Sequence, residues 1–380
     1  MHYNNREEML KEGFTAKMAD YWLSCIELEK KQSGIYDSKY MRWAHENGFL
    51  VAHAYAYNLN DDNKNYYLSD YDYYKMWPIN NWTRIWINDK LTLKYVMNNA
   101  LFSNYMPRYY YYSVPNKGIC SLMDNPNIKG EQGFLDLLRT EGAFACKPNN
   151  GTESRGFFKL EYSNGSFSIN GTEVEKEDII HFIDTHPNYL YTEYLYPDTF
   201  FSGYSTLVHT LRIMLVKEYA KPPVIAGIYL RLPVGENHAA NYNYSYGQDG
   251  SFNLYVFPDI ETGHFDCGYK VYANHVEKTF SHPQTGKELN GILPNFKLLK
   301  DFVCMLSKYL GSLEFMGLDM AATPSGYKLM EINSHPGISN HQIMMPFFKN
   351  SYLKGYFESK IDTIDNLSDK EKLQRIGIIR

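Results

Sequence analysis

The sequence predicts an α+β protein built from more than one domain, and three observations carry that reading. Its 380 residues exceed the roughly 250 to 300 at which a single core stops growing. Apolar residues recur at helical spacing over 5–32, after Asp89 and over 295–310. From about 108 to 232, short runs rich in Tyr, Phe, Val, Ile and Thr are punctuated by turn residues, which is the pattern of strands.

Taken in order, Met18, Tyr21, Trp22 and Cys25 fall at i, i+3, i+4 and i+7, and Gly34 can stop that helix. A strand and loop region should follow to about Trp86, making 1–88 an N-terminal α/β region. Asp89 is a helix N-cap for "DKLTLKYVMNN", which leads into the aromatic strand "YMPRYYYYSV". The strands "GAFACKP", "RGFFKLEY", "SFSING" and "YLYTEYL" come next, then "TLVHTLRIMLV" and "VIAGIYLRLPV", joined by a loop with Pro222 and Pro223. The helix over 295–310 puts Leu299, Phe302, Val303, Leu306 and Leu310 on one face, with Gly311 as its stop. "FMGLDMAA" and "YKLMEIN" flank the turn "TPSG" and read as a hairpin. Without repeats or low-complexity linkers the sequence marks no sharp domain boundary, and residues 361–380 read as a loosely held charged tail.

Composition excludes some partners. A net charge of −5, with 21% of residues charged, gives no basic excess for nucleic acid. No apolar run approaches a membrane span, and the start "MHYNNREEMLKEG" lacks the apolar stretch of a signal peptide, so a soluble, cytoplasmic protein is expected. Cys25, Cys120, Cys146, Cys267 and Cys304 are odd in number and form no CxxC pair; they read as buried thiols. The 35 tyrosines cluster at "YYLSDYDYY", "YYYY" and "NYNYSYG". Such rings either stack on sugars or roof a core with their hydroxyls wet, and the second role is the more common.

The chemistry gathers around the predicted hairpin. Asp319 lies six residues before Ser325 and Glu331 six after, so the two carboxylates should face each other. Like charges directly opposite repel unless a cation intervenes. Asn333, two residues beyond Glu331, shares its face, and three hard oxygen ligands suit a magnesium ion carrying phosphates. Upstream, Lys147 ends an apolar strand before "NNGTESRG", where Gly151 and Gly156 free the backbone to approach an anion and Thr152 and Ser154 add donors. An ordinary hairpin turn would account for the glycines equally well, and the stretch is no GxxxxGK[ST] motif. Arg212 shares a strand face with Thr210 and apolar neighbours, so it needs an anionic partner, whereas His209 on the other face reads as a packing histidine.

In this order, Asp89-Lys90, Lys147-Pro148 with its glycine loop, Glu193, Arg212, Asp319 and "EINSHPG" resemble the ATP-grasp superfamily of carboxylate-amine ligases. "LMEINSHPGISNHQIMMP" is similar to the corresponding segment of D-alanine:D-alanine ligases. "HTLRIMLV", "SHPQTGKELNGILP" and "MGLDMAATPSGYKLMEIN" resemble the sugar-transfer-associated ATP-grasp group. The resemblance spans roughly residues 85 to 350. It implies an ATP-grasp fold in which two α+β subdomains clamp ATP, 89–195 being the lid subdomain and 196–360 the larger one with the metal site. It further implies that Lys90 and Lys147 hold ATP phosphates under a lid with Gly151, Ser154 and Gly156, and that Glu193, Tyr194 and Leu195 form the adenine hinge. Asp319, Glu331 and Asn333 would bind one or two Mg2+ ions, with Mn2+ as an alternative, and Arg212 would contact the transferred phosphoryl group. D-alanine ligases carry an arginine where this chain has Gly317, which leaves Arg231 as the candidate for a substrate carboxylate. His209-Thr210 replaces the Asn-Thr usual in the sugar-associated group. The Gly337 N–H and Ser339 would stabilise an oxyanion or grip substrate, while His282 and His335 are proton carriers or packing residues. The implied activity joins a carboxylate to an amine through an acyl phosphate, releasing ADP, with an amino acid or peptide attached to a sugar or surface-glycan precursor. The alternatives are a kinase on the same scaffold and a non-catalytic nucleotide- or glycan-binding module. A homodimer is an open expectation.

Overall fold

The computed structural model describes residues 2–32, 34–123, 129–151, 155–235 and 250–379. Thr152, Ser154 and the "NYNYSYG" cluster lie outside the described residues.

The first ninety-odd residues form short helices: α1 (Arg6–Lys11), α2 (Ala16–Lys31), α3 (Ser38–Glu46), α4 (Val51–Ala56), α5 (Asp70–Lys75), α6 (Arg84–Asn88) and α7 (Lys90–Val96). The single helix expected over 5–32 is broken at Gly13, whose φ of +100° suits only glycine, and Thr15 caps α2 by accepting from the Met18 N–H. The buried face of α2 is Ala19, Trp22, Ile26 and Glu29, while Tyr21 is 49% exposed, so the helical period holds but its phase differs. No strand occurs in the expected α/β region; among the described residues the first strand starts at Tyr109. Buried carboxylates organise the helices instead. Glu29 accepts from the Val51 and Ala52 N–H groups at the start of α4 and meets His45 Nε2 at 2.8 Å. Asp70 accepts from the Leu50 N–H and faces His53 Nδ1 at 2.8 Å.

The middle of the chain folds as β1 (Tyr109–Val114), β2 (Gly118–Ser121), α8 (Gly130–Glu141), β3 (Ala143–Pro148), β4 (Phe158–Ser163), β5 (Ser166–Ile169), β6 (Thr172–Val174), α9 (Lys176–Thr185) and β7 (Tyr189–Glu193). The strands form an antiparallel sheet in the order β2-β1-β7-β3-β4-β5-β6. Phe134 and Leu138 of α8 and Ile179 and Phe182 of α9 bury one face together with Tyr110, Tyr111 and Tyr191. Those tyrosines, like Tyr71 and Tyr73 of the earlier cluster, are core residues.

After α10 (Thr199–Ser202) come β8 (Thr210–Val216), β9 (Val224–Leu232), β10 (Asn253–Val256), β11 (His264–Phe265), β12 (Gly268–Val271), β13 (Val276–Thr279), β14 (Gly291–Ile292), α11 (Phe296–Tyr309), β15 (Phe315–Thr323) and β16 (Gly326–Asn333). A second antiparallel sheet runs β13-β12-β10-β9-β8-β15-β16, and β11 pairs with β14 separately. Its Leu211, Ile213, Leu318 and Ile332 meet Leu299, Phe302 and Leu306 of α11. On the opposite face Met214, Val216, Ala226 and Phe315 pack under α12 (Ser339–Gln342), α13 (Ser351–Asp365) and their surroundings. That second face turns polar beyond Met214, where the site begins.

The expected charged tail is helical. α13 is followed by α14 (Asp369–Ile376), which Ser368 and Glu371 start with a reciprocal capping box. Arg375 anchors it by donating to the carbonyls of Gly13, Lys75 and Trp77. Of the cysteines, Cys146 and Cys267 are buried, Cys25 and Cys304 half-buried, and Cys120 exposed, so the expectation of five buried thiols holds fully only at Cys146 and Cys267 and fails outright at Cys120. Among the described residues, no helix is long and apolar enough to cross a membrane.

Candidate functional site

The hairpin β15–β16 pairs Asp319 directly with Glu331. The same register row continues across the sheet, Asp319 opposite Arg212 and Arg212 opposite Tyr229, so four strands present Glu331, Asp319, Arg212 and Tyr229 side by side on one face. The cation required between facing carboxylates is supplied in part by the protein. Arg212 grips Asp319 with both arms of its guanidinium, at 2.6 and 2.9 Å, and Arg231 reaches the same carboxylate at 3.2 Å. Burial alone would push the Asp319 carboxyl up, but the two arginines outweigh it and hold it below the usual carboxylate range. Arg231 also donates to the Tyr229 hydroxyl at 3.2 Å. Burial would raise the phenol's pKa; Arg231 and Arg212 bring it below its ordinary value.

Glu331 answers to the lysines. Lys90, the first residue of α7, sits 3.6 Å from Glu331 and donates to the Gly151 carbonyl at 2.8 Å. Asn149 braces this corner: its carbonyl oxygen accepts from the Leu91 N–H at 2.9 Å and its amide donates to Asp89 at 2.6 Å. Lys147 leaves β3 beside them. Part of its side chain meets solvent, but the groups packed around the amine prevail, and burial followed by the charge of Lys90 pushes its pKa down to about 8, against an opposing pull from Glu331. Gly151 and Gly156 both lie against Pro148, and a Cβ at Gly156 would strike the Tyr189 hydroxyl at 2.6 Å. Neither position has room for a side chain.

The remaining candidates sit in different roles. Glu193 ends β7 with its carboxylate accepting from the Arg108 N–H at 3.1 Å, while Tyr194 and Leu195 are half-buried and Lys159 lies 4.8 Å over the Tyr194 ring. Gly337 is exposed on the loop leaving β16, and Ser339 opens α12 with its carbonyl accepting from the Tyr57 hydroxyl at 3.1 Å. Gly317 has no room for an arginine, because the Pro336 ring occupies the place of a Cβ. Three histidines are packing groups. Burial pushes His209 and His335 down to about 3, with His335 stacked on Tyr73 at 4.0 Å, and His282 is buried with Nε2 3.1 Å from the Pro233 carbonyl.

The sugar-transfer-associated ATP-grasp family model matches residues 85–347. The chain belongs to this ATP-grasp family. No curated protein matches it. Among solved structures, D-alanyl-alanine synthetase A from Vibrio cholerae is 12% identical with a TM-score of 0.42, covering 73% of this chain and 65% of its own. D-alanine–D-alanine ligase from Bacillus anthracis is 12% identical, TM-score 0.37, covering 78% and 70%. N5-carboxyaminoimidazole ribonucleotide synthetase from Thermotoga maritima is 12% identical, TM-score 0.36, covering 74% and 50%. The chain thus spans between half and about two thirds of the length of these structures.

The ATP-grasp family implies a nucleotide and a divalent metal, and the residues can be tested against both. Lys90, Lys147, Arg212 and Arg231 bring four positive charges against the two of Asp319 and Glu331, a surplus that suits a polyphosphate. Among the described residues, no group of three or more His, Cys, Asp and Glu side chains is arranged for a metal. The hairpin set differs from such a group in using Asn333, whose buried amide nitrogen has no partner. Two carboxylates and an amide suit a hard cation that takes its other ligands from phosphate. Tyr229 and Asn149 escaped the sequence reading. Alternation along "VIAGIYLRLPV" does put Tyr229 on the face of Arg231, whereas nothing local marks Asn149, whose partners lie 58 and 60 residues away.

Proposed function

We propose that this protein is an ADP-forming carboxylate–amine ligase. The reading rests on one observation, the cationic surplus gathered around the paired Asp319 and Glu331. In this reading Lys90 and Lys147 neutralise the ATP phosphates as the γ-phosphoryl group passes to a substrate carboxylate. Asp319, Glu331 and Asn333 would hold Mg2+, which neutralises phosphate charge when bound. The backbone of Glu193, Tyr194 and Leu195 reads the adenine edge, and the 151–156 loop, including Ser154, closes over the phosphates to exclude water from the acyl phosphate. Arg212 faces the moving phosphoryl group and Arg231 the substrate's carboxylate. The Gly337 N–H and Ser339 stabilise the oxyanion formed when the amine attacks. The family's description ties it to sugar transfer, and the product proposed is an amino acid or peptide joined to a sugar or surface-glycan precursor in the cytoplasm.

The test is ADP release with amino acids and nucleotide sugars supplied singly and in pairs, with hydroxylamine as a trap. Release should need both a carboxylate and an amine, and hydroxylamine should yield a hydroxamate when the amine is withheld. A stable phosphorylated product from one acceptor alone would replace the ligase with a kinase.

A further inference from the structure

A cavity of about 540 Å³ is walled by residues between Tyr3 and Lys75 and between Phe348 and Glu358. All of its wall lies outside residues 85–347, the segment that defines the ATP-grasp family, so it belongs to the flanking helices of this chain. Its volume falls within the roughly 300 to 1,000 Å³ of small-molecule sites.

The lining selects a ligand class. Phe49, Tyr67, Tyr71 and Phe348 contribute aromatic rings. Tyr71 is locked by edge and tilted contacts with Tyr3, Phe14 and Trp22, so this wall is rigid. Tyr67 is half-buried and stacks on Tyr57 at 4.7 Å through one face, and among the described residues no ring covers the other.

Charge decides the rest. Lys64, Lys75 and Lys354 stand against Glu12, Asp72 and Glu358, three of each sign. Most already have partners, Lys64 and Lys75 with carboxylates outside the wall. Lys64 meets Asp61 at 2.7 Å and Asn47 at 2.8 Å, Lys75 pairs with Asp365, Glu12 accepts from the Tyr71 hydroxyl at 2.7 Å, and Lys354 lies 3.7 Å from Glu358. An anion or a zwitterion would find no net field and would have to displace existing pairs. A neutral ligand with a flat C–H face for the rings and many hydroxyls for the amides and carboxylates meets no such cost. Asn65, whose side chain makes no hydrogen bond among the described residues, offers both a donor and an acceptor.

We infer that this cleft, framed by aromatic rings and charge-neutral polar groups, binds a neutral polyhydroxylated ring of the sugar class. The inference goes beyond the ligase reading and stands whether or not the chain turns over ATP. The wall is also tied to the site loop: Leu68, next to Tyr67, exchanges two hydrogen bonds with Gln342, at 2.8 and 2.9 Å.

The test titrates the full chain, without nucleotide, with maltose, cellobiose and N-acetylglucosamine, and with inorganic phosphate and glutamate as charged probes, by calorimetry and saturation-transfer NMR. At least one of the saccharides should bind with a dissociation constant on the order of 1 mM. Asn65→Ala, at an exposed position that leaves the fold alone, should weaken it about fivefold, the loss of one hydrogen bond. Tyr67→Ala should remove saturation transfer to the ring protons, and Lys147→Ala should leave sugar binding intact, which separates this cleft from the nucleotide site. The inference is overturned if none of the three saccharides binds, if Asn65→Ala titrates like the parent, or if phosphate or glutamate binds in their place.

Discussion

Lys147 shows what one side chain can report. With its amine pushed down to about 8 by burial and by Lys90, it carries most of its charge at neutral pH and loses it as the solution becomes alkaline. A bound phosphate favours the charged form and raises the pKa again, so binding above pH 8 must be accompanied by proton uptake. ATP affinity should therefore hold constant up to about that pH and then fall, by at most about tenfold per unit. Calorimetry in buffers of different ionisation enthalpy should register the uptake. Lys147→Arg, which keeps its charge, should flatten the profile; an equally steep profile in that variant would remove Lys147 from the phosphates. The placement of this lysine at the end of a strand was legible in "AFACKP". Its low pKa was not, because Lys90 approaches from a helix 57 positions earlier in the chain and only the folded structure brings the two amines together.

At the level of elements, the hairpin was the most legible feature. The turn "TPSG" pairs Thr323 with Gly326, a register that would bring Asp319 opposite Met330, and a bulge between Asp319 and Met320 shifts the pairing by one residue so that Glu331 faces Asp319 instead. What continues the row is not local: Arg212 on β8 and Tyr229 on β9 arrive by strand order, and Asp319 therefore ties three strands together as well as facing Glu331. Asp319→Asn would leave two buried guanidiniums without their counter-charge and should cost about 3 to 5 kcal/mol in urea unfolding. Because the carboxyl is held below its usual range, that deficit should be present at neutral pH and vanish as pH falls through the folded-state value. Glu331→Gln, with a side chain 27% exposed, should change stability by less than about 1 kcal/mol. Equal unfolding midpoints for the two variants would refute this division. The N-terminal helices were illegible for a related reason. α4 and α5 have six residues each, too few to show a period, and the groups that start α4, Glu29 and Asp70, lie some twenty residues away in the chain.

Across the whole molecule, the two ends of the chain close on each other. Arg375 of α14 donates to three carbonyls of the N-terminal region, and the C-terminal helices cover the sheet face on which the site's polar row begins. A chain ending at Asn366 should therefore melt at a lower temperature than the full chain, by several degrees for each ~1 kcal/mol lost. Unchanged melting would mean that α14 rests on the surface without holding it. Charge within this segment concealed the docking from a sequence reading, since the helix has no fully buried residue and it is held through the polar side chains of Lys372, which donates to the Asp365 carbonyl, and Arg375.

The hydroxyl of Tyr57 on the Ser339 carbonyl, together with the paired bonds between Leu68 and Gln342, has a consequence for anyone recombining these proteins. A chimaera that exchanges the leading helices but keeps the parental segment after the Pro-Gly would split a matched lock from its key. The seam belongs elsewhere, with residues 339 to 342 travelling alongside the helices they clasp.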